Sequence, residues 1–146
     1  MHPIRAYLLS KPEAWEDFPF RLDVAVFKVE NKMFATLSQG GASGAPDNCW
    51  QMNLKCEPEQ ALMLRDVFPA VIPGYHMNKA HWNTVILDGS MPQSELERMI
   101  DHSYSLVFRS LTKKVQARFE LHHSAEALHG TQTPHPITCD KTRGER

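Results

Sequence analysis

Cysteine is scarce in this chain and nowhere paired by spacing: Cys49, Cys56 and Cys139 form no C-x-x-C unit, so neither a disulfide framework nor a zinc ribbon is proposed. Long apolar runs are missing as well. Nothing approaches the ~20 residues of a membrane span, and Ala6-Tyr7-Leu8-Leu9 is too short for the apolar stretch of a signal peptide. The expectation is a cytoplasmic protein that does not enter a membrane. No nucleophile with an evident base accompanies the polar residues of the span 75–83. His76 and His81 are five apart, off the i, i+4 spacing that aligns two ligands on one helix face, so no metal site and no cofactor is expected.

What is present fits one domain. The 146 residues are 42% apolar, enough to close a single core with some chain left over. The net charge of −1 hides an asymmetry, because residues 1–108 hold 9 Lys+Arg against 13 Asp+Glu while residues 109–146 hold 7 against 4. Basic character gathers at the C-terminal end.

Apolar spacing over residues 4–10, halted by Pro12, predicts a short N-terminal helix, and residues 15–20 (WEDFPF) read as a connecting loop with aromatic anchors. A period of two over residues 24–29 and 32–37, joined by Glu30-Asn31, predicts a β-hairpin. The Gly-, Ala- and Pro-rich residues 39–48 read as a flexible loop into a third strand over 50–55, in which Trp50, Met52 and Leu54 alternate with Gln51, Asn53 and Lys55. Pro58 opens a helix whose stripe runs through Ala61, Leu62, Leu64, Arg65, Val67 and Phe68, and residues 82–87 form a further strand. One long amphipathic helix is expected from about residue 90 to 115, carrying Leu96, Met99, Ile100, Val107, Leu111 and Val115 with Ser103 in the same row. The organisation is thus α+β: an antiparallel β-sheet packed on one face by N- and C-terminal helices, with a domain over 1–120 and a disordered tail over 121–146.

Behind the Pro73-Gly74 turn, residues 72–85 (IPGYHMNKAHWNTV) crowd polar groups into a short span. Tyr75, His76, Asn78, Lys79, His81 and Asn83 offer donors, acceptors and one permanent charge, a set that could grip an anion or a nucleotide. The plainer reading is that Asn78 and Asn83 satisfy backbone groups of the loop and that His81 and Trp82 pack. A second candidate surface is the sheet face turned away from the helices, where Lys28, Thr36, Gln51, Asn53, Lys55 and Thr84 fall if the strands alternate as read.

The stretches EDFPF (16–20), VFKVENKMFA (26–35), NLKCEPE (53–59), VIPGYHMNKAHWNTVILDG (71–89) and IDHSYSLV (100–107) together resemble the MmcQ/YjbR family, whose fold is similar to that of CyaY, the bacterial frataxin. The resemblance implies a YjbR/CyaY-like α+β domain and a DNA-binding protein with a double-wing arrangement. The chain departs from the family where Glu30-Asn31 replaces a Gly-rich tip and where Glu57 replaces an Asp helix cap. A frataxin-like iron role requires an acidic first helix, and residues 4–11 contain no carboxylate.

DNA binding needs cations facing phosphates. Between residues 24 and 56 the only ones are Lys28, Lys32 and Lys55, and the loop 39–48 has none. A denser basic surface is Arg109, Lys113, Lys114 and Arg118, although cations at a helix C-terminus also have a purely structural benefit of ~0.3–1 kcal/mol each. The function expected is therefore a non-enzymatic binding module with DNA as leading ligand on family grounds. Its site residues are Asn53, Lys55, Tyr75, His76, Asn78, Lys79, His81 and Asn83, with the basic helix end as accessory. A protein-interaction or small-anion-binding module using the same surface is the alternative.

Overall fold

The computed structural model describes residues 2–19, 23–39, 49–74 and 77–129. Strands β1 (Ala14–Asp17), β2 (Val24–Val29), β3 (Lys32–Gln39), β4 (Trp50–Lys55), β5 (Val71–Pro73) and β6 (Trp82–Leu87) form one antiparallel sheet in the order β1-β2-β3-β4-β6-β5. The helices are α1 (Ile4–Leu9), α2 (Pro58–Val67), α3 (Gln93–Arg109), α4 (Lys113–His122) and α5 (Ala125–His129). This is the expected α+β class. None of the described helices is long and apolar enough to cross a membrane.

Alternation sorts the strands into two faces. Toward the helices, Ala25, Leu37, Met52, Val85 and Val71 stand side by side across five strands, each buried. The row beside it runs Phe27, Ala35, Leu54 and Asn83. Helix α3 closes over these rows because Leu96, Met99, Ile100, Ser103, Tyr104, Val107 and Phe108 recur at helical spacing and are all buried.

Strict alternation fails at one place. Phe27 pairs with Ala35 and Lys28 with Met33, so Phe34 is an extra residue, a β-bulge. Phe34 and Ala35 are both buried in the core, and the Phe34 ring meets Tyr104 edge-on at 5.3 Å. Ser103 of α3 occupies the gap: its hydroxyl donates to the Phe34 carbonyl (2.6 Å) and accepts from the Lys55 N–H (2.9 Å).

Several boundaries differ from the sequence reading. Residues 14–17 are an edge strand and not loop, made by pairing with β2 rather than by any period of their own. The expected single C-terminal helix is two. Thr112 starts α4 by accepting from the Val115 N–H, while Gln116 Nε2 donates to the Arg109 and Leu111 carbonyls left over where α3 ends. Residues 121–129, expected as the start of a disordered tail, are instead the end of α4 and α5; the rest of that expected tail, 130–146, lies outside the described residues. Ser124 accepts from the Ala127 N–H at the start of α5, Leu128 is fully buried, and the His129 ring lies 5.4 Å from that of Phe108. Helix α2 buries less than its stripe suggested: Leu62 and Val67 are exposed, and Glu57 stands at its N-cap without a side-chain cap bond.

Candidate functional site

The polar span behind Pro73-Gly74 is knitted to its own main chain. Arg65, reaching over from α2, donates Nε to Asn83 Oδ1 (2.7 Å) and Nη2 to the carbonyls of Lys79 and Trp82 (3.3 Å to Trp82). Lys79 Nζ donates back to the Gly74 carbonyl (2.8 Å), and Asn78 Oδ1 accepts from the Ala80 N–H (2.9 Å). Gly74 donates to the Trp82 carbonyl so closely that a Cβ there would stand 2.8 Å from that oxygen. Asn83 is 2% exposed on the helix side of the sheet, its Nδ2 turned to the Ala61 carbonyl. It is thereby removed from the candidate ligand residues. Asn78 and Lys79 are exposed, with these side-chain atoms bonded within the loop. His81 is exposed, and Tyr75 and His76 lie outside the described residues. Arg65, the residue that organises the loop, shows in the sequence only as a member of the helical stripe of residues 61–68.

The basic helix end divides as well. Arg118 is engaged by Glu30 (2.8 Å) and Glu13 (3.3 Å), and His123 also reaches Glu13 (3.2 Å). Burial raises the Glu13 carboxyl, but the hydrogen bonds from His123 and Arg118 outweigh it and hold the group below the usual carboxylate range. Glu13 and Glu30 both adopt φ 56°, the left-handed region, so Arg118 fastens two strained turns. It is a structural cation rather than an accessory ligand contact. Arg109 donates to the Ser105 carbonyl of its own helix at 3.3 Å. Lys113 and Lys114 are exposed and have no side-chain partner among the described residues.

The helix-free face of the sheet has a different character. Thr36, Asn53 and Thr84 stand abreast on β3, β4 and β6. Asn53 Nδ2 donates to Thr36 Oγ1 (3.0 Å), and Thr84 Oγ1 donates to Asn53 Oδ1. This three-strand ladder is buried, with Asn53 at 9% exposure, so Asn53 is a framework residue of the face and not the open contact expected. Around it lie groups that solvent does reach. Lys55 pairs across to Trp82 and Trp15 across to Lys28; all belong to this face, and Lys55 has no side-chain partner among the described residues. Lys28 Nζ sits 5.2 Å from the Trp15 ring and 2.9 Å from Asp17.

The chemistry available elsewhere is limited. Burial pushes the Cys56 thiol up to about 11, which keeps it protonated and weakly nucleophilic. Cys49 and Cys56 flank opposite ends of β4, roughly 20 Å apart along an extended strand, too far to pair. Burial also lowers the His102 pKa, and its Nε2 accepts from the Glu57 N–H at 3.4 Å. Among the described residues, no three His, Cys, Asp or Glu side chains gather where they could hold a metal ion.

The YjbR family model matches residues 9–106. YjbR of Escherichia coli K12 is 37% identical over 98 residues, spanning 67% of this chain and 78% of that protein. YbdF of Escherichia coli O157:H7 is 35% identical over 101 residues, spanning 69% and 78%. A crystal structure of the Deinococcus radiodurans protein DR2400, which carries a DUF419 domain, superposes with a TM-score of 0.69 at 33% identity over 80% of this chain and 85% of that one. A Pseudomonas syringae crystal structure gives 0.63 at 31% over 73% and 98%. With two thirds of its length under one family model, and with relatives that share its sheet and helices, this chain belongs to the YjbR family.

Proposed function

We propose that this chain is a non-enzymatic binding module that takes single-stranded nucleic acid on the helix-free face of its sheet. The observation that carries the reading is the placement of Trp15 and Trp82 on that one face, with Lys55, which has no side-chain partner among the described residues, beside Trp82. Unpaired bases gain ~1–3 kcal/mol each by stacking on aromatic rings, and a nearby ammonium meets the phosphate. Duplex DNA is disfavoured by the charges. Arg5, Lys11, Lys28, Arg98 and Arg118 are held by carboxylates and Arg65 and Lys79 by carbonyls, which among the described residues leaves few cations for a phosphate track.

The test is fluorescence anisotropy of labelled oligo-dT and of a duplex of equal length at two salt concentrations. Oligo-dT binds more tightly, with quenching of tryptophan emission. Lys55→Ala lowers the salt slope by about 0.7, the value of one phosphate on a single strand. Preference for duplex, or binding indifferent to Lys55, refutes the proposal.

A protein partner is the second reading, favoured by the apolar surface of α2, where Leu62 is 63%, Val67 58% and Met63 37% exposed. Leu62→Ser would abolish such an association and leave oligo-dT binding intact.

A further inference from the structure

Two exposed helix ends carry charge of the wrong sign. The helix dipole favours anions in the first turn and cations in the last, and α3 obeys with Glu95 at its start and Arg109 at its end. Helix α4 instead opens on Lys113 and Lys114 with no acidic residue in its first turn, and α2 carries Asp66 in its last. The Arg65 guanidinium beside Asp66 is committed to the loop. Asp66, Lys113 and Lys114 are exposed, and none has a side-chain partner among the described residues. A local rule broken at two places without compensation points to a partner beyond the fold.

Each misplaced charge stands next to uncovered apolar surface. Leu62 follows Asp66 on α2 one turn back, and on α4 Leu121 is 82% exposed, the most open large apolar side chain among the described residues. The spacing of the two surfaces is the same. On α4, Lys113, Ala117 and Leu121 follow one another in steps of four residues; on α2, read backward, so do Asp66, Leu62 and Pro58, and all six are exposed. Each step is about 6 Å along the helix. Laid antiparallel, the rows set carboxylate against ammonium, Leu62 over the small Ala117, and Leu121 against Pro58, a packing of i, i+4 ridges. Opposed helix directions also bring unlike dipole ends together.

We propose that the partner of this surface is a second copy of the chain, with α2 of each protomer seated on α4 of the other. The proposal rests on the α2 surface of the protein-partner reading above and is independent of the nucleic-acid reading. Within one chain the two helices lie at opposite edges of the sheet: α2 packs against β5, while Arg118 ties α4 to Glu13 and Glu30 beside β1 and β2. A twofold axis between two stacked helix layers sets α2 of each copy over α4 of the other, so the contact forms twice and assembly stops at two chains. The charges select the partner and the apolar rows hold it, since exposed ion pairs alone contribute little.

Sedimentation equilibrium of the full chain tests this. Two small contacts belong to the transient class, with a dissociation constant on the order of 10–100 µM that weakens as salt is raised. Asp66→Lys, and separately Lys113→Glu with Lys114→Glu, leave the chain monomeric, and an equal mixture of these two variants forms a dimer again. Each substitution gives its helix end the charge that the dipole favours, so melting midpoints in dilute solution stay at or above that of the wild type. Leu62→Ser and Leu121→Ser each raise the dissociation constant at least about tenfold. Oligo-dT affinity is unchanged throughout, because all these positions are on the helix side. A wild-type chain that stays monomeric up to about 1 mM, a dimer that either charge variant retains, or a mixture that stays monomeric overturns the proposal. So does a fall in oligo-dT affinity on Lys113→Glu with Lys114→Glu at unchanged mass, which would assign these lysines to nucleic acid. If the chain is monomeric, the broader protein-partner reading falls with the dimer only where wild-type and Leu62→Ser baits retain the same proteins from a cell lysate.

Discussion

Ser103→Ala removes one buried oxygen that completes two backbone groups. The bulge at Phe34 interrupts the pairing of β3 with β4, whose register begins only at Ala35 with Leu54. The Phe34 carbonyl and the Lys55 N–H therefore turn to α3, where the Ser103 hydroxyl serves them at 2.6 and 2.9 Å. Ser103 is fully buried, so no water is at hand to replace it. Each stranded group costs about 1–3 kcal/mol, and the better helix propensity of alanine returns about 0.5 kcal/mol. The net loss is roughly 1.5–5.5 kcal/mol, a large part of the ~5–15 kcal/mol that a domain of this size commands. Urea unfolding followed by tryptophan fluorescence measures it, with Ser94→Ala as control at an exposed position near the start of the same helix. Faster hydrogen exchange at the Lys55 amide should accompany the loss. A change below about 0.5 kcal/mol, or one no larger than that of the control, would refute the bridging role.

Other perturbations test the remaining framework. Since burial depresses the His102 pKa, protonation opposes the folded state: its contribution is whole above the ordinary histidine range and is lost as pH falls from about 6.5 toward the lower folded value. His102→Gln should flatten that acid limb in denaturation midpoints compared between pH 7.5 and 5, and an unchanged limb would contradict the assignment. Arg65→Ala strips the loop of its bonds to Asn83, Lys79 and Trp82, and should cost roughly 2–3 kcal/mol and expose residues 77–81 to limited proteolysis. Arg118→Ala breaks ion pairs that are nearly half exposed, so a loss of no more than about 1 kcal/mol is expected, with no change in the salt slope of oligo-dT binding.

Where periodicity ran long, the chain could be read directly. The alternation in β2, β3, β4 and β6 and the stripe of α3 each bury a continuous row, and a row leaves its period in the sequence. The short elements carry no such period. Strands β1 and β5, with 4 and 3 residues, exist through their partners, and the α3–α4 break hangs on Thr112 and Gln116, single residues inside an otherwise unbroken stripe. The candidate site divides in the same way. That Lys55, Asn53 and Gln51 share a face follows from alternation alone. That Asn83 is consumed by Arg65, 18 residues earlier, or that Arg118 answers Glu30, 88 residues away, are facts of tertiary placement with no local signal. The polar loop advertised donors and acceptors, but a donor's availability depends on whether the fold has already used it.

Strand β4 gathers these observations into one physical arrangement. It is central in the sheet, with β3 and β6 on its flanks, and its helix side is packed by Met52 and Leu54. Beyond its end, Cys56 donates to the His81 carbonyl at 2.7 Å, and the last strand residue, Lys55, is held through Ser103. Lys55, the cation assigned to the phosphate, thus sits on a stiff part of the molecule, and the Thr36–Asn53–Thr84 ladder fixes the ground beside it. Stiff placement suits a weakly charged face, because a site with few cations must draw its selectivity from where each polar atom stands rather than from general attraction to phosphate.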